Sequence, residues 1–223
     1  MEYSKGNIKL INADCMDIMK TYPDNYFDLA IVDPPYGIGF HCEKPSMVLN
    51  KHIKWGNKKL KGYTKKDWDK NAPKKEYFIE LLRISKNQII WGGNYFDLKP
   101  SGGWIVWDKI RPADFSLSQA ELAWVSSSGR IAIYKYLWNG FQKQIPENRF
   151  HPTQKPIKLY EWIYKNYAKP EFKIIDTHLG SGSNAIAANR FNIAEFVGIE
   201  IDSEYFEKSI KRFETETLQM CLF

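Results

Sequence analysis

The sequence contains no run of about 18 apolar residues, so no membrane span is expected. It has only three cysteines, Cys15, Cys42 and Cys221. That odd, scattered set excludes a disulfide framework and points to free thiols in a reducing, cytoplasmic setting. Histidine is scarce too. Of the four present, His41 and His52 lie near Cys42 but miss the spacings of zinc ligands, and no metal is expected. No G-x-x-x-x-G-K-[ST] occurs, which argues against a P-loop nucleotidase. The opening residues Met1 to Lys5 lack the pattern of a signal peptide.

The 223 residues are 43% hydrophobic, enough for a real core in one large domain or one domain with an insertion. The formal charge of +6 is unevenly spread. Residues 44 to 75 hold eleven lysines against Asp67 and Asp69, a local excess of +9 that leaves −3 for the rest. Trp55, Tyr63 and Trp68 are interleaved with these lysines. Lysines for phosphates and rings for stacking suit a nucleic acid; the plain alternative is a solvated loop whose lysines only aid solubility.

Along the chain, short apolar runs alternate with amphipathic ones. Strands are predicted at Ile8–Ile11, Phe27–Val32, Gln88–Trp91, Trp104–Trp107, Glu121–Val125, Arg130–Trp138, Lys173–Asp176 and Phe196–Ile201. Helices are predicted at Met16–Lys20, Glu76–Ser85, after Pro156, at Ser183–Phe191, and from a cap at Asp202 or Ser203. The expected class is α/β.

Three stretches carry chemistry. The first is Asp33-Pro34-Pro35-Tyr36-Gly37, at the end of a buried strand, the edge where open α/β sheets bind ligands. Two prolines fix φ and remove two donors, so the chain leaves the sheet stiffly, carrying a carboxylate, exposed carbonyls and an aromatic face. Such a support can grip a planar group that bears an amine. The plain alternative is a strand followed by a Pro-Pro turn.

The second stretch is Gly180-Ser181-Gly182 with Ala185, between a strand and a helix, followed 20 residues on by Glu200 at the end of the next strand. Glycines admit a ligand to the backbone, and an acid at that distance can hold ribose hydroxyls. NAD, FAD and S-adenosylmethionine all fit this pattern, as does a turn that only tightens strand–helix packing. The third stretch, His151-Pro152-Thr153-Gln154-Lys155-Pro156, precedes a helix close to the glycine turn.

Taken together and in this order, Asp33 to Tyr36, His151 to Pro156 and Asp176-Thr177-His178-Leu179-Gly180-Ser181-Gly182-Ser183-Asn184 resemble the amino-methyltransferases of DNA bases, β group. Trp91-Gly92-Gly93-Asn94-Tyr95-Phe96 adds a likeness to the small bacteriophage and prokaryotic adenine enzymes. There are departures. Thr177-His178 stands where the family often has Pro-Phe, and Ser183-Asn184 where it often has Thr-Thr.

The resemblance implies a Rossmann-like methyltransferase fold. Its sheet would be mixed but mostly parallel and flanked by helices, with the catalytic motif ahead of the cofactor glycines. One catalytic domain would span 1–223, with a basic DNA-facing insertion at about 41–75 and a short recognition segment at about 108–150. The implied cofactor is S-adenosylmethionine and the implied partner is DNA. A homodimer and a cognate restriction endonuclease are further partners it allows.

The resemblance also implies roles. Asp33 and the Pro34 carbonyl would accept hydrogen bonds from the target amine, with Pro35 stiffening the turn, and Tyr36 would stack on a flipped base. Gly180, Ser181, Gly182, Ser183 and Asn184 would line the cofactor, with Asp33 beside its methyl and Asp176 shaping the turn. Glu200 would hold the ribose, Asp14 the adenine side, and Thr153, Gln154 and Lys155 the methionine end. Lys54, Lys58, Lys59, Lys61, Lys65 and Lys66 would meet DNA phosphates. Asp at the first motif position leans to adenine N6 and Ser to cytosine N4. Two other classes stay open: a dinucleotide oxidoreductase and a catalytically silent DNA-binding protein.

Overall fold

A computed structural model describes residues 1–39, 69–111, 118–127, 129–138 and 149–218. The basic lysines at 54, 58, 59, 61, 65 and 66 lie outside the described residues, as does part of the 108–150 segment.

The apolar runs become strands because they alternate between two buried faces. In β3 (Leu29–Val32), Leu29 and Ile31 join one core cluster while Ala30 and Val32 join the other. β4 (Gln88–Trp91) does the same, with Ile89 and Trp91 opposite Ile90. The first cluster lies against α3 (Ile157–Tyr167), α4 (Ser183–Phe191) and α5 (Ser203–Leu218). The second lies against α1 (Cys15–Met19) and α2 (Lys75–Ile84). Burial on both faces is what allows near-continuous apolar parallel strands.

The remaining strands are β1 (Glu2–Lys5), β2 (Ile8–Asn12), β5 (Gly103–Asp108), β6 (Ala120–Val125), β7 (Ile131–Lys135), β8 (Lys173–Asp176) and β9 (Glu195–Glu200). Among the described residues they form one nine-stranded sheet in the order β1-β2-β9-β8-β3-β4-β6-β5-β7. β2, β9, β8, β3 and β4 are mutually parallel. β6 runs antiparallel to both β4 and β5, so its first residues reach the edge where the parallel strands end.

Strand order fixes the position of the site. From β3 the chain passes through α2 to β4 on one side, and from β8 through α4 to β9 on the other. β3 and β8 are neighbours, so the direction of winding reverses between them. Doubly wound sheets open a crevice at that switch point, beyond the strand ends. Asp33 follows β3, and Asp176 ends β8.

The structure adjusts several boundaries. The strand predicted from Phe27 begins at Leu29, and Phe27 makes an isolated bridge to Ser85. β1 was not anticipated; it is a polar edge strand of alternating exposed and half-buried residues. Pro156 is the cap of α3 rather than its first helical residue. Asp202 caps α5, accepting from the Glu204 and Tyr205 N–H groups at 3.0 Å each.

Candidate active site

The Asp33 turn is built from three directions. Tyr36 folds back so that its hydroxyl donates to Asp33 Oδ1 at 2.8 Å. Asp69, which is buried, accepts from the Tyr36 N–H at 2.8 Å and the Gly37 N–H at 3.1 Å. These are the first two N–H groups after the prolines, which have none to offer. Gly37 has φ +70°, and a Cβ there would meet the Ala72 nitrogen at 2.5 Å.

The Tyr36 ring rests on Trp91-Gly92-Gly93-Asn94-Tyr95-Phe96. A Cβ on Gly92 would lie 2.2 Å from Tyr36 Cε1, 2.5 Å from Cδ1 and 2.7 Å from Cζ. The two ring neighbours of Cε1 are only slightly farther than Cε1 itself, so Gly92 faces the flat of the ring. Tyr95 stacks on Tyr36 at 5.0 Å between centroids and 16° between planes, and Phe96 meets its edge.

Lys155 joins this turn to the rest of the site. Its Nζ lies 2.5 Å from Asp33 Oδ2 and 3.1 Å from Glu121 Oε2. It also sits 5.1 Å from the centre of the Trp91 ring. Glu121, at the start of β6, is held through its other oxygen by Lys109. Burial works against the Lys155 charge, but Asp33 and Glu121 outweigh it and raise the ammonium above its usual value. Burial likewise works against Glu121, yet Lys155 and Lys109 hold its carboxyl down at about 2. Burial pushes Asp33 above the usual carboxylate range, against the lowering pull of Lys155.

The glycine turn lies at the neighbouring strand end. Gly180 and Gly182 have φ +53° and +75°, the left-handed region that glycine tolerates. The Gly180 N–H donates to Glu200 Oε2 at 2.8 Å, and the Gly182 N–H to the Leu179 carbonyl at 3.0 Å. Asp202 N–H fills the other Glu200 oxygen at 2.9 Å, and burial pushes this carboxyl up. The His151 ring lies 3.5 Å from where a Gly180 Cβ would stand, so the second and third sequence motifs meet here.

Several expected site residues use their polar groups inside the protein. Ser183 Oγ donates to the Lys155 carbonyl at 2.7 Å. Asn184 donates to Asp176 at 2.9 Å and to the Ile31 carbonyl at 3.1 Å, and accepts from the Tyr164 hydroxyl at 2.8 Å. It thereby ties β3 to β8 beneath the crevice. Ser181 Oγ lies 3.1 Å from Ser183 Oγ. Burial raises Asp176 to about 7, although Asn184 and the His178 N–H bond to it. Asp14 caps α1 by accepting from the Met16 N–H at 2.8 Å. Thr153 Oγ1 lies 3.2 Å from His151 Nδ1, and Gln154 is buried.

Three residues escaped sequence reasoning. Asp69 had counted only as charge. Glu121 had counted only as the start of a strand. Arg212, on α5, donates to the Ser181 carbonyl and to Ser183 Oγ at 2.8 Å each, holding the glycine turn from below. A lone acid or arginine whose partners lie tens of residues away leaves no local pattern.

The donor set favours a cation over a phosphate. Asp14, Asp176, Glu200 and Asp202 line the ends of β2, β8 and β9. The Gly180 and Gly182 N–H groups, which would cradle a pyrophosphate, are already bonded within the protein. A sulfonium-bearing nucleoside fits this acidic edge.

Residues 106–211 match the N6/N4 family described as DNA methylase. That match spans just under half of the chain and makes this segment similar to a DNA methylase domain. The match begins after the Asp33 turn, but full-length relatives extend across it. The type II methyltransferase M2.DpnII of Streptococcus pneumoniae is 25% identical over 258 residues, covering 96% of this chain and 92% of that protein. Among solved structures, M1.HpyAVI with S-adenosylmethionine superposes with a TM-score of 0.55 at 20% identity, covering 92% of this chain and 99% of the other. The cytosine-N4-specific PvuII DNA methyltransferase gives 0.59 at 14% identity, covering 96% and 92%. These structural likenesses establish the fold: a mixed, mostly parallel methyltransferase sheet flanked by helices.

Among the described residues no helix is long and apolar enough to cross a membrane.

Proposed function

We propose that this methylase moves the methyl group of S-adenosylmethionine to the N6 amine of adenine in DNA. The observation that carries the reading is the Asp33 carboxylate, backed by Tyr36 and set across the β3/β8 crevice from the glycine turn.

The target base must leave the duplex to reach this crevice. Tyr36 offers it a flat face. Asp33 and the Pro34 carbonyl accept hydrogen bonds from its amine, drawing the nitrogen lone pair out of conjugation with the ring. They also steady the positive charge that builds on nitrogen as it attacks. Bound S-adenosylmethionine would supply an activated methyl to this amine. Asp33 holds the amine's proton through the step, and positioning supplies much of the gain.

Gly180, Gly182 and Glu200 are assigned to the nucleoside, Asp14 to the adenine side, and Thr153 and Gln154 to the methionine end. Adenine rests on Asp at position 33, the residue type that leans to N6. Cytosine N4 is the second reading, favoured by the structural likeness to a cytosine-N4 enzyme. Lys54, Lys58, Lys59, Lys61, Lys65 and Lys66 are assigned to DNA phosphates. The free Cys15 thiol suits a cytoplasmic setting. A cognate endonuclease is proposed from the type II relative, and a homodimer is tested by sedimentation.

The test is expression in a methylation-free host followed by genome-wide mapping of modified bases. N6-methyladenine in a fixed context is the expected result. N4-methylcytosine would move the assignment to the second reading, and no modified base would support a silent DNA-binding protein.

A further inference from the structure

The methylase assignment gives Asp33 a substrate amine to accept, yet Lys155 already occupies Asp33 Oδ2. Tyr36 occupies Oδ1. Both oxygens of the acid are therefore engaged before a base arrives. Lys155 is buried, so it cannot simply give up its partner to water. Something must keep its charge paired while Asp33 turns to the base.

Glu121 stands in the right place. Its Oε1 is fixed by Lys109, which packs over the Trp107 ring at 5.0 Å. Its Oε2 is buried and lies 3.1 Å from Lys155 Nζ, a longer contact than the 2.5 Å from the same ammonium to Asp33. It is a second acceptor already aimed at the cation that must change partners. Its approach from antiparallel β6 brings it to the crevice from the side opposite β8.

We propose that Glu121 is a positioning residue that takes full hold of the Lys155 ammonium when the target amine replaces Lys155 on Asp33 Oδ2. The exchange keeps every buried charge paired. Asp33 gives up one donor and gains another, and the Glu121 contact with Lys155 shortens. The Lys155 charge also withdraws from the acid just as positive charge grows on the attacking nitrogen. This inference rests on the reading of Asp33 as the acceptor for the amine.

The experiment uses Glu121→Gln, Glu121→Asp, Lys155→Met and the Glu121→Gln/Lys155→Met double variant of the full chain. Each is assayed for single-turnover transfer from tritiated S-adenosylmethionine to DNA from a methylation-free host. S-adenosylhomocysteine affinity and thermal unfolding are measured alongside. Glu121→Gln is expected to slow transfer at least about tenfold with S-adenosylhomocysteine affinity within about twofold. Glu121→Asp, which keeps the charge, should recover part of the rate. Because Glu121 acts through Lys155, the double variant should be no slower than Lys155→Met alone.

Wild-type transfer by Glu121→Gln would overturn the proposal. So would a double variant that loses the product of the two single effects. Loss of S-adenosylhomocysteine binding in step with activity would also overturn it, because Glu121 would then be only scaffold. Methyl transfer by an Asp33→Ala protein is a separate result: it would remove the underlying reading whatever Glu121→Gln does.

Discussion

The backbone of Gly92 lies against the flat of the Tyr36 ring, so close that a methyl group on Gly92 would stand 2.2 Å from Tyr36 Cε1. Gly92 also has φ +68°, which costs an alanine about 1–2 kcal/mol. Gly92→Ala is expected to push Tyr36 off its seat and slow methyl transfer by about tenfold or more. S-adenosylhomocysteine affinity should stay within about twofold, since β3 lies between β4, which Gly92 follows, and β8, which leads into the glycine turn. Parallel measurement of single-turnover rate and cofactor binding checks the split.

Asp69 holds the same turn from the other side through the Tyr36 and Gly37 N–H groups. Asp69→Ala leaves both donors without that acceptor and should lower stability by about 1–3 kcal/mol. Asp69→Asn keeps an acceptor oxygen and should recover part of the loss. Urea unfolding of the three proteins gives the order, and transfer rates should follow it.

His178 stands where the family often has phenylalanine. Its Nδ1 lies 3.0 Å from Thr177 Oγ1, which in turn lies 2.6 Å from the Tyr77 hydroxyl. Burial lowers this imidazole from 6.5 to about 4. Between those two pH values the unfolded chain binds more protons at this position than the folded one, so stability falls as pH drops from 6.5 to 4. The contribution is at most about 3 kcal/mol. His178→Phe is expected to flatten that part of the stability profile, as read by thermal unfolding against pH.

Sequence reasoning succeeded where a local pattern carries the structure. Lys173–Asp176, Gln88–Trp91 and Ser183–Phe191 have the observed bounds, because short apolar runs and a small-residue helix are set by neighbours in sequence. β1 escaped because a polar edge strand needs only one partner and no apolar face. Within the site, the three motifs could be read but their joint was hidden. Lys155 reaches Asp33 across 122 residues, and Asp69 reaches Tyr36 across 33. Such pairings follow from strand order, which spacing alone does not reveal. Lys155 was expected to face the cofactor's methionine end; the structure places its ammonium on Asp33 and Glu121.

The central claim is that Asp33 acts on the target amine rather than on the cofactor or the fold. The most direct measurement is tritium transfer from S-adenosylmethionine to unmethylated bacterial DNA by Asp33→Ala, with S-adenosylhomocysteine affinity determined on the same preparation. The account predicts cofactor affinity close to wild type and transfer at background. Substantial label in the DNA would contradict it.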